Sequence, residues 1–129
     1  MFLSSLTEEQ KKTFFCLAHT IAVSDGELSV SEEVMMEDMR REMALSVDFE
    51  PHYLAAAGIQ SIFDTRKSRS IVLLSLLRLA YADGAFEIEE QSFLNILCNV
   101  FEISENEFGL IENWVQRLIA LEREINAFF

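Results

Sequence analysis

A motif of an acid followed by glycine occurs twice in this chain, 58 residues apart, and it constrains the fold more than any other feature. The first copy runs Asp25-Gly26-Glu27-Leu28-Ser29-Val30-Ser31-Glu32, and the second runs Asp83-Gly84-Ala85-Phe86-Glu87-Ile88-Glu89-Glu90. In both, an apolar residue (Leu28, Phe86) precedes an oxygen-bearing side chain (Ser29, Glu87), and a glutamate (Glu32, Glu90) closes the motif. The flanks repeat as well. Residues 14–23 and 72–81 are apolar runs that end just before the motif, and 34–43 and 92–101 are amphipathic runs that follow it. Self-similarity at a fixed spacing means one supersecondary unit written twice, here helix, turn, helix.

The motif has two physical readings. In the first it is a corner between helices. Gly26 or Gly84 takes the positive φ that stops the incoming helix, since glycine adopts it without a Cβ penalty. Ser29 and Glu87 then stand at the start of the next helix, with Glu32 and Glu90 three residues on. Ser29 and Glu32 form a capping-box pattern, and acids in a first turn favour the positive end of the helix dipole. In the second reading the motif is the back half of a calcium-binding EF-hand loop, which places an acid, glycine, a carbonyl ligand, an oxygen side chain and a closing glutamate in that order. Asp25, Ser29 and Glu32 fall on those places in one copy, and Asp83, Glu87 and Glu90 in the other. The front half of the loop is missing, because its ligand places hold Ile21 and Val23 in one copy and Leu79 and Tyr81 in the other. Each corner therefore offers half a ligand shell. Calcium or magnesium would bind weakly and draw further oxygens from water, a second loop or a partner.

The stretches from Ala22 to Glu32 and from Leu79-Ala80-Tyr81-Ala82-Asp83-Gly84 to Glu90 resemble the TerB-like tellurite-resistance family. The resemblance covers residues 7–101, with a closing helix expected at 104–124. The first copy departs from the family pattern at Ser24 and Ser29, so the second corner is the better match. The resemblance implies an all-helical cytoplasmic domain whose acidic corners bind a divalent metal within a tellurite or other stress-response system. It also implies use as a partner-docking module.

Composition agrees with one helical domain spanning 1–129, with repeats at about 7–43 and 67–101. Half of the 129 residues are apolar, enough for a sizeable core. One proline and four glycines leave little room for linkers or a multi-turn β architecture. The formal net charge of −12 argues against nucleic acid and anionic membranes as partners, since both need a basic footprint. Acid runs around both corners read as solvated helix faces at Glu33, Glu37 and Glu89. The start of the sequence lacks the basic region of a signal peptide, and residues 71–82 are too short and too interrupted by Arg78 to span a bilayer. Two cysteines without a secretory context indicate free thiols in a reducing, cytoplasmic compartment.

Hydrophobic periodicity predicts six or seven helices and no strand, an all-α fold. They are expected at 7–24, 30–44, 51–58, 67–82, 88–101 and from 104 onward, with a further turn at 59–64. The stripe Met35, Met36, Met39 and Met43 reads as core. In the last helix Phe108, Ile111, Trp114, Val115, Leu118 and Ile125 form the inward stripe. Arg66-Lys67-Ser68-Arg69 reads as a solvated loop. Phe2, Leu3, Ile125, Phe128 and Phe129 are expected to form an exposed patch for a homodimer or a partner helix. Catalytic constellations are missing. Cys16 and His19 share a helix face within an apolar run, which suits a buried thiol and a core histidine, and His52 has no sequence-local partner. The expected protein is a non-enzymatic, cation-responsive binding domain, with a metal-independent docking scaffold as the alternative.

Overall fold

In the computed structural model the described residues are 1–24, 26, 28–82 and 88–129. Among them are five α-helices, two 3₁₀ turns and no strand: α1 (Glu8–Ala22), α2 (Val30–Met43), α3 (Arg66–Ala80), α4 (Ile88–Phe101) and α5 (Glu105–Asn126). The turns lie at Leu3–Ser5 and Ile59–Ser61. None of these helices is long and apolar enough to cross a membrane.

Side-chain caps decide where the helices begin. Thr7 Oγ1 accepts from Gln10 N at 3.2 Å while Gln10 Oε1 accepts from Thr7 N at 3.0 Å, a reciprocal box that satisfies two orphan donors of α1. Thr65 with Ser68 opens α3 in the same way, and Ser104 with Glu107 opens α5. The bounds of α3 and α4 follow those of α1 and α2 at the spacing of the sequence motif. The exits match too. Ala44 (φ 54°) and Glu102 (φ 59°) both turn left-handed, and both are followed by a bond that closes over the helix end. Leu45 N donates to Arg40 O at 3.1 Å and Ile103 N donates to Cys98 O at 2.9 Å, the long bond of a Schellman turn.

α3 is the centre. It packs against α1, α2, α4 and α5, and Val72, Leu73, Leu76, Leu77 and Leu79 are fully enclosed. Each leucine so buried contributes about 1.5–3 kcal/mol relative to exposure. Met36, Met39 and Met43 are buried as the stripe predicts, and Glu33, Glu37 and Glu89 are exposed.

The structure corrects four expectations. The helix expected at 51–58 is irregular, so the described residues form five α-helices rather than six or seven. Local propensity from Ala55-Ala56-Ala57 loses to α1, whose Thr20 Oγ1 accepts from Leu54 N at 2.9 Å and docks the segment against that helix. The basic cluster is the first turn of α3, not a solvated loop. Arg69 donates to Phe63 O, Phe101 O and Gln60 O, tying three carbonyls together, while Arg66 pairs with Glu107 at 3.1 Å. Leu3 is buried rather than part of an exposed patch. Ile125 is exposed rather than inward, and in α5 only Val115 is buried.

Candidate cation-binding corners

Helix phase determines what each corner presents. In α2 the buried face runs Glu32, Met36, Met39, Met43, and in α4 it runs Glu90, Leu94, Leu97, Phe101. Both follow the spacing of one helix face, with the glutamate at its head. Glu32 is therefore 4% exposed and Glu90 5% exposed, although Glu33 and Glu89 beside them face solvent. The spacing was available in the sequence as a signal that these two acids point inward.

At the first corner, Gly26 adopts the positive φ expected of it, 96°. Ser29 is half-buried and caps α2: its Oγ accepts from Glu32 N at 3.1 Å, and Glu32 Oε1 accepts from Ser29 N at 3.0 Å. A carboxylate taken out of water costs several kcal/mol unless donors or cations face it. The Ser29 N–H and the helix N-terminus supply part of that compensation. At the second corner Glu90 lies in the first turn of α4. Asp25, Asp83 and Glu87, the other expected ligands, lie outside the described residues, as do Glu27 and Gly84. Among the described residues no group of three or more His, Cys, Asp or Glu side chains is arranged to hold a metal ion. Glu32 and Glu90 are thus the described acids around which a ligand set would have to form.

The second corner is mechanically joined to α5. Tyr81, at the exit of α3, donates through Oη to Glu112 Oε2 at 3.0 Å and accepts from Gln116 Nε2 at 3.2 Å. Burial, followed by the bond to Glu112 and its negative charge, raises the Tyr81 pKa above the usual 10.0, against a smaller opposing pull from Gln116. One turn earlier, Arg78 Nη2 reaches both carboxylate oxygens of Glu122, at 3.1 and 3.0 Å. Two side chains at the end of α3, one neutral and one charged, therefore each bond an acid on α5.

Away from the corners, the fold makes one contact that sequence proximity could not show. Cys16 Sγ lies 3.6 Å from His52 Nδ1, although the residues are 36 positions apart. They border an open, mainly apolar groove of about 330 Å³ whose walls include Phe49, Leu54, Ile59 and Ile62. His19, expected in the core, is half-exposed in the last turn of α1. Cys98 is also buried, and burial raises its thiol pKa from the usual 9.0 to about 11.

Residues 51–113 match the family model described as tellurite resistance protein TerB. The matched residues are just under half of the chain and take in α3, the second corner, α4 and the start of α5, so the family likeness read from the doubled motif holds for the second copy. Compared with curated proteins and with solved structures, the chain has no match.

Proposed function

We propose that this chain is a non-enzymatic binding domain whose two acidic corners respond to a divalent cation, calcium or magnesium, in a tellurite-associated or other stress response in the cytoplasm. The observation that carries this reading is the matched burial of Glu32 and Glu90 beside exposed Glu33 and Glu89. Two carboxylates are directed inward at equivalent corners of a chain with a net charge of −12. Crowded carboxylates repel, and a hard cation removes that repulsion while taking their oxygens as ligands.

In this proposal Asp83, Glu87 and Glu90 form the stronger site, and Asp25, Ser29 and Glu32 the weaker. Relief of charge at the second corner is passed through Tyr81 to Glu112 on α5, so the cation alters the surface that a protein partner meets. With half an EF-hand shell, dissociation constants of about 10⁻⁴ to 10⁻³ M are expected. Calorimetric titration of the full chain with calcium, magnesium and zinc tests this directly. Saturable millimolar binding of calcium or magnesium supports it, and no heat beyond dilution for any of the three rejects it.

A metal-independent docking scaffold is the second reading. The observation favouring it is the Glu32 carboxylate itself, already used as one half of a capping box. On that reading the corner acids are caps and solubility charges, and function lies in exposed apolar surface.

A further inference from the structure

α5 leaves an apolar flank uncovered beside its buried face. Ile111, Trp114, Leu118, Leu121 and Ile125 succeed one another at alternating steps of three and four, the spacing of a two-helix coiled-coil seam, and Phe128 follows in the turn after α5. Ile111 and Trp114 are half-buried against the chain's own core. Farther along, Leu121 is 60%, Ile125 51% and Phe128 84% exposed. The stripe thus begins at the core and runs out into solvent.

We propose that a second copy of the chain covers this stripe, α5 against α5, antiparallel about a twofold axis between Leu118 and Leu121. A twofold interface requires that if one residue meets another, the reverse contact also exists. The stripe meets that condition. Around this axis Leu118 faces the partner's Leu121, Trp114 faces the partner's Ile125, and Ile111 faces the partner's Phe128. Every large apolar residue of the seam meets another one, and none meets a charge.

Charge makes the same selection. A chain with net charge −12 resists docking against itself wherever acid meets acid. Along one edge of this seam stand Arg117 and Glu124, both exposed. The antiparallel register sets each Arg117 opposite the partner's Glu124, so symmetry creates two opposite-charge pairs. A parallel register would instead set Arg117 opposite the partner's Glu122, a side chain already paired with Arg78. The inference is independent of the corner reading, since no cation takes part in the seam.

The test is the mass of the full chain by sedimentation equilibrium, with and without a chelator. A concentration-dependent dimer that persists in chelator is expected. Leu121→Glu, at an exposed position, should give a monomer with unchanged helical circular dichroism. Arg117→Glu and Glu124→Arg should each weaken the dimer by about tenfold, because both symmetry-related pairs become repulsive. The double variant Arg117→Glu/Glu124→Arg should recover most of that loss. A monomer up to high micromolar concentration would overturn the proposal. So would a dimer indifferent to Leu121→Glu, or failure of the double reversal to recover binding. Loss of the dimer in chelator alone would assign association to the corners instead.

Discussion

The corner between α1 and α2 and the corner between α3 and α4 bury a glutamate at the same place, yet their sequences surround it with different chemistry. At the first, Glu32 exchanges hydrogen bonds with Ser29, and its burial could be read as a consequence of capping. At the second, Glu87 stands where the first has Ser29, so the serine hydroxyl of the box is gone, and Glu90 is buried just as deeply. What the two corners share is helix phase. Each glutamate heads the stripe that packs in the core. The first corner carries a serine ahead of its helix, and the second carries a further acid there.

Several measurements would break or sharpen that difference. The largest effect is expected from cation binding, which at a hundredfold excess over the dissociation constant stabilises the fold by about 2.7 kcal/mol. Asp83→Asn with Glu90→Gln should remove most of that increment, and Asp25→Asn with Glu32→Gln should remove less, as read from melting curves with calcium. Equal losses would erase the proposed distinction between the corners. Next is Ser29→Ala, which should cost about 1 kcal/mol in chemical denaturation without cation, the usual worth of an N-cap. The second corner has no serine counterpart to this change.

Tyr81→Phe should cost about 0.5–1.5 kcal/mol, the range for a lost side-chain hydrogen bond, here the bond to Glu112. The first corner has Val23 at the matching place, so this coupling to α5 belongs to the second corner alone. A further effect is on pH dependence. Because the folded pKa of Tyr81 is raised, its contribution is complete below the unfolded value of 10.0 and is lost as pH rises through the folded value. Cys98, raised from 9.0 to about 11, acts with the same sign over that interval. Stability should therefore fall from about pH 9 upward, and Cys98→Ser should flatten the decline between pH 9 and 11 in denaturant titrations.

The helices on either side of the motif were the most legible part of the fold, because caps and apolar spacing act locally. Ser29 with Glu32 closes as its spacing predicts, and Thr7 with Gln10 and Ser104 with Glu107 form the same box. The segment from Pro51 to Gly58 was not legible, because its conformation is imposed by Thr20 across the fold rather than by its own alanines. The contact of Cys16 with His52 depends on that same docking, so no local pattern announces it. Arg69 was misread for a similar reason: its three carbonyl partners come from separate elements. At the candidate site, the inward phase of Glu32 and Glu90 was present in the spacing to Met36 and Leu94. It is masked by the acids beside them, which make the whole turn look solvated.

The central claim is that the corners hold a cation and are not merely caps. The most direct test is the melting temperature of the unmodified chain with and without millimolar calcium or magnesium, at constant ionic strength so that screening of the net charge is held fixed. The account predicts a saturable rise with either ion that levels off in the millimolar range. A melting temperature unchanged by both ions would contradict it and leave the corners as caps alone.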